Sequence, residues 1–123
     1  MSDTIIIESA DADVPLDPKL LREIRDLLRA NDDLDLGLKL TNRPPAPGEQ
    51  GGVPVALEVL AVTAAASRPF AKVLAAWLRS RHTSIKVRDR DHGRELELDT
   101  KTAKLGDVER LITKFLEEGR ETK

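Results

Sequence analysis

Four clusters and one isolated acid have the residue types and spacing from which chemistry could be built. Ser67, Ser80 and Ser84, the last two close to His82 in sequence, are the ingredients of a hydroxyl nucleophile with an imidazole base. No Gly-x-Ser-x-Gly elbow presents any of them, and Ser80 and His82 fall where a helix ends and a strand begins, a place that is polar in any case. Asp89, Asp91 and His92 are metal-ligand types, but Arg90-Asp91-His92-Gly93 reads as turn chemistry between two strands. Gly48, Gly51 and Gly52 precede an apolar run as a phosphate loop would, yet Val53-Pro54 follows where that loop needs lysine and a hydroxyl. Glu58 is the one charge inside that run and marks its solvated side rather than a tuned acid. The residues indicate no catalytic, cofactor-binding or metal-ligating site.

The fourth cluster is electrostatic. Residues 79–94 hold six bases, Arg79, Arg81, Lys86, Arg88, Arg90 and Arg94, against two acids, whereas residues 1–35 hold ten acids against four bases. A basic patch is the footprint of nucleic-acid or nucleotide binding. Here no aromatic residue interleaves, and Glu95 and Glu97 lie ready to pair with Arg88 and Lys86 across a hairpin. Nucleic acid is the less favoured partner; acidic residues of another protein or of a second copy are the better one.

The elements that must position these residues follow from periodicity. Thr4-Ile5-Ile6-Ile7 is β-branched and reads as a strand buried on both faces. Asp17 caps and Pro18 opens a helix whose Leu20, Leu21, Ile24, Leu27 and Leu28 form one stripe, with Leu16 stapled onto Leu21. Leu34, Leu36, Leu38 and Leu40 alternate with polar residues as a half-buried strand, and residues 43–52 form the one long loop. Ile85-Lys86-Val87-Arg88 and Glu95-Leu96-Glu97-Leu98 predict a hairpin pairing Val87 with Leu96 and Ile85 with Leu98. Val108, Leu111, Ile112, Phe115 and Leu116 predict a last helix capped at Gly119.

Residues 53–81 are read as helical. Phe70, Val73, Leu74, Trp77 and Leu78 form an amphipathic stripe, the run from Val53 to Ala66 is apolar nearly all round, and Pro69 implies one kinked helix or two, the second capped at Ser67 or Arg68. The expected order is β-α-β-α-β-β-α. It specifies an α+β fold with a four-stranded mixed sheet, strands one and two parallel, and helices mainly on one face. Residues 1–119 make a single domain and 120–123 a frayed tail. Three helices on such a sheet rarely enclose an all-apolar helix, so some of Val55, Leu57, Val59, Leu60 and Val62 are expected to face another polypeptide, a protein partner or a second copy, the alternative being cover by the Pro-rich loop and the other helices.

Composition narrows the function classes. In 123 residues there is no cysteine, which removes disulfides, thiolate metal sites and cysteine nucleophiles, and one Trp, two Phe and no Tyr leave little for base stacking. The N-terminus lacks a basic segment ahead of its three-residue apolar run, and no stretch approaches the roughly 20 residues of a bilayer span, so a cytoplasmic, membrane-free protein is expected.

Three pieces of the chain together resemble a known family: Leu20-Leu21-Arg22-Glu23-Ile24-Arg25-Asp26-Leu27-Leu28, then Leu74-Ala75-Ala76-Trp77-Leu78-Arg79-Ser80-Arg81, then the basic-then-acidic hairpin from Ile85 to Leu98. The pattern is similar to the effector-associated constant component family of actinobacterial proteins. The resemblance implies an accessory or adaptor protein without enzymatic activity or cofactors. It implies a place beside effectors such as caspase-like or trypsin-like peptidases in bacterial conflict or immunity systems. It brings no catalytic residues.

Overall fold

The computed structural model describes residues 3–11, 16–31, 37–43, 53–62, 64–81, 83–99 and 105–121. The elements are β1 (Asp3–Ser9), α1 (Pro18–Ala30), β2 (Gly37–Arg43), β3 (Val53–Val62), α2 (Ala64–Arg81), β4 (Ser84–Asp89), β5 (Arg94–Asp99) and α3 (Leu105–Glu121). The fold is α+β, with one five-stranded sheet in the order β2-β3-β1-β4-β5, antiparallel at every junction.

The expected four-stranded mixed sheet is corrected here. The run from Val53 to Val62 is a strand, not half of a helix. A short run with apolar residues on both faces fits a strand as well as a buried helix. Four valines in ten residues, each stiff at χ1, settle for the strand. Pro54 is tolerated because it lies at the start of β3, opposite Asn42, where the ladder is already irregular. β3 inserts between β1 and β2, so those two strands are not neighbours and no parallel crossover exists.

α2 then runs unbroken from Ala64 past Pro69 to Arg81, so the expected second start at Ser67 or Arg68 does not occur. Pro69 is the sixth residue of that helix and removes one backbone bond, to the carbonyl of Ala65. Gly119 lies inside α3, which continues to Glu121 instead of being capped there. Leu34 and Leu36, Gly48, Gly51, Gly52 and His82 lie outside the described residues.

Other local readings hold. Asp17 caps α1, its Oδ1 accepting from the Lys19 amide at 2.9 Å. The β4–β5 hairpin pairs Ile85 with Leu98, Lys86 with Glu97, Val87 with Leu96 and Arg88 with Glu95. Its turn passes through Gly93 at φ 66°, a left-handed conformation that favours glycine.

Strand alternation divides the sheet into two unlike faces. Ile5, Ile7, Leu57, Val59, Ile85 and Val87 are completely buried against the helices. There they meet Leu21, Ile24 and Leu28 of α1, Phe70, Leu74 and Leu78 of α2, and Ile112 and Leu116 of α3. α2 packs between α1 and α3, with α1 over β2 and β3 and α3 over β5. The opposite face carries Lys39, Glu58, Ile6, Arg88 and Glu95 as one row across all five strands.

Candidate functional site

The positions singled out in the sequence separate into three places. The first is a clasp between α1 and α2. Trp77 and Arg81 are four residues apart on α2 and therefore share a face. Trp77 Nε1 donates to Glu23 Oε1 at 2.8 Å, Arg81 Nε donates to the same oxygen at 2.5 Å, and Arg81 Nη2 donates to Oε2 at 2.5 Å. The planar guanidinium fork matches the carboxylate, and the indole completes a three-donor seat for one anion. The Arg81 bonds, with the Trp77 bond and the Arg81 charge behind them, hold the Glu23 carboxyl below the usual carboxylate range against the opposing pull of desolvation. Ser80, between them, donates to the Trp77 carbonyl at 2.9 Å, so its hydroxyl serves the helix.

The second place is the hairpin turn. Asp89 is 1 % exposed. Its Oδ1 accepts from the Asp91 amide at 3.1 Å, and His92 Nδ1 lies 2.9 Å from its Oδ2. Asp91 Oδ2 accepts from the Thr4 amide at 3.0 Å, and the Arg90 amide donates to the Thr4 carbonyl at 3.1 Å. These contacts turn the chain and tie the turn to β1. Among the described residues, no group of three or more His, Asp or Glu side chains is arranged to hold a metal ion. Arg94 leaves the turn toward α3. Its guanidinium stacks 4.4 Å from the Phe115 ring centre and donates to the Phe115 carbonyl at 2.5 Å. It also stands 3.6 Å from both Asp89 and Glu118.

The third place is the open sheet face. Arg88 Nε lies 2.7 Å from Glu8 Oε1, Arg90 Nη1 3.2 Å from Glu58 Oε1, and Lys86 Nζ 3.8 Å from Glu95 Oε2. The register predicted for the hairpin is right, but the ion pairs run to β1, to β3 and diagonally to Glu95, not straight across.

The six bases expected to form one patch are thus distributed. Arg81 belongs to the helix clasp, Lys86, Arg88 and Arg90 to the open face, and Arg94 to the opposite side of the sheet, each facing a carboxylate. Arg79 is exposed in the last turn of α2. The six do not share one surface.

The expected apolar contact surface is corrected as well. Leu57 and Val59 are completely buried inside this chain because alternation turns them toward the helices. Val55 and Leu60 are half-buried, and the side chain of Val62 lies outside the description. Among the described residues, the large apolar side chains that are exposed sit elsewhere: Leu27 at 45 % on α1 and Leu111 at 44 % on α3. Leu111 lines a shallow depression with Leu96 and Phe115, rimmed by Arg94, Lys114 and Glu118.

Glu23 is the residue whose role the periodicity did not show. Its signal was available only jointly: an acid on one amphipathic helix, and a Trp and an Arg at helical spacing on another. No helix among the described residues is long and apolar enough to cross a membrane. In comparisons with known proteins, residues 13–116 match the family model described as Effector Associated Constant Component 1. No curated protein and no solved structure matches.

Proposed function

Because the chain belongs to the Effector Associated Constant Component 1 family, we propose that it is a non-enzymatic accessory protein that binds an effector and scaffolds or regulates it. The effector would be a peptidase of caspase-like or trypsin-like type in a cytoplasmic bacterial conflict system. The observation that supports this reading is where the reactive side chains spend their polar atoms. Glu23, Trp77, Arg81, Asp89 and Arg94 are engaged with one another or with the backbone. They hold elements together, which is the work of a binding scaffold.

Binding of the purified chain to the products of its neighbouring genes, followed by calorimetry with any peptidase among them, tests the proposal. Saturable binding with a change in peptidase turnover is the expected result. Hydrolytic or transfer activity of the chain alone, lost on substitution of one polar residue with the fold intact, would replace the adaptor reading.

A further inference from the structure

The two edges of the sheet carry the same three-residue pattern with opposite charge. β5 presents Leu96-Glu97-Leu98 and β2 presents Leu38-Lys39-Leu40. In both, the leucines face the helix side and the charged residue faces the open side. Glu97 and Lys39 are both exposed and have no ion-pair partner among the described residues. The edge leucines Leu38, Leu40 and Leu96 are only partly buried, Leu98 being covered, while Ile5, Ile7, Leu57, Val59, Ile85 and Val87 of the three central strands are completely buried. Each edge therefore has apolar surface left to cover and one unneutralised charge.

We propose that these edges are the two halves of one interface, in which β5 of one copy pairs with β2 of the next. Four antiparallel junctions separate β2 from β5, so the two strands run in the same direction. A second copy displaced along the sheet meets β5 with its own β2 in parallel, helices on the same side. Leucine then meets leucine on the helix side, and glutamate meets lysine on the open side. In that register the open-face row that reads Thr41, Ala56, Glu8, Lys86, Glu97 continues across the junction with the next Lys39, so opposite charges alternate from Glu8 through Lys39.

Symmetric pairing is opposed by the same residues. β5 on β5 sets glutamates against glutamates, and β2 on β2 sets lysine against lysine, both destabilising across a strand pair. The interface is therefore heterologous. It propagates into rings or open arrays and does not stop at a two-fold dimer. Charge of one sign at each edge also blocks the wrong pairings, which an uncharged edge would permit.

The experiment uses the full chain and its charge-reversed variants, followed by light scattering coupled to size exclusion across a wide concentration range at low salt. The parent is expected to grow in mass with concentration beyond a dimer. Lys39→Glu alone and Glu97→Lys alone each weaken association about ten-fold, because an attractive pair becomes a repulsive one. An equimolar mixture of the two variants recovers it, since each junction then joins opposite charges. Circular dichroism confirms the fold of each variant; should one not fold, the other and the salt dependence of the parent still decide. A parent that is monomeric throughout, a dimer indifferent to both substitutions, or a mixture no better than its components overturns the proposal. The chain is tested alone, so this failure is distinct from failure to bind an effector. A strand from another protein as the true occupant would show as a monomer that captures basic-apolar peptides on β5.

Discussion

Arg94→Ala separates a ligand-binding basic patch from a structural brace. In the structure Arg94 joins the β5 end of the hairpin to α3 by three contacts, the Phe115 carbonyl, the Phe115 ring and Glu118, and faces Asp89 at the end of β4. A hydrogen bond from a charged donor contributes about 1.5 kcal/mol and a partly shielded guanidinium over an aromatic ring about 1 kcal/mol. Asp89 is almost fully buried and loses a nearby cation, which adds about 0.5 kcal/mol; Glu118 is half exposed and adds little. The expected loss is about 3 kcal/mol. For a domain of this size that lowers Tm by about 10–15 °C. Urea unfolding monitored by Trp77 fluorescence measures it, with an unchanged slope showing that the unfolded state is unaltered. Arg94→Lys keeps the charge but not the fork or the stacking and should lose about half as much. A loss below about 0.5 kcal/mol for Arg94→Ala, the ordinary range for an exposed surface site, would refute the brace and return Arg94 to the pool of free cations.

Leu57→Ala should cost about 2–5 kcal/mol by opening a cavity under the helices, and Leu57→Asp should prevent folding, whereas Leu60→Asp on the open face should leave a folded chain; circular dichroism distinguishes them. The clasp should make stability depend on pH. Glu23 titrates below its unfolded value, so its contribution is complete above the ordinary carboxylate range and disappears as pH falls through the depressed folded value. Glu23→Gln should flatten that acid limb of the unfolding curve, and an unchanged limb would dissociate the clasp from the pH response. Gly93→Ala should cost about 1 kcal/mol from backbone conformation alone, because a methyl there meets nothing within 4 Å; melting curves measure it.

Local signals were legible wherever one short stretch determined the outcome. The Asp17-Pro18 start of α1, the β4–β5 register and the burial of Ile5-Ile6-Ile7 on both faces each follow from neighbouring residues and hold in the fold. Residues 53–62 defeat periodicity because apolar residues lie on both faces of the strand: Leu57 and Val59 face the helices, while Ala56 and Leu60 flank Glu58 on the open face, so the period-two contrast is lost. Once that segment is a strand, the parallel crossover between β1 and β2 has no place. The sites depend on pairings of high sequence separation, Glu23 with Trp77 and Thr4 with Asp91, and no local pattern encodes which charged residue finds which. Of the contact residues expected from the apolar run, Leu57 and Val59 are core, because strand alternation turns them toward the helices.

The strand made first is the one that finishes in the middle. β1 pairs with β3 on one side and with β4 on the other, and the hairpin turn fastens back onto Thr4. On the ribosome the three isoleucines therefore emerge long before either neighbour exists. After β3 has been synthesised, the second flank still waits for Asp89, a delay on the order of seconds at cellular elongation rates. Through that interval the nascent chain holds a sticky unpaired ribbon, and its yield in the cell should depend on chaperone capacity more than its finished stability suggests.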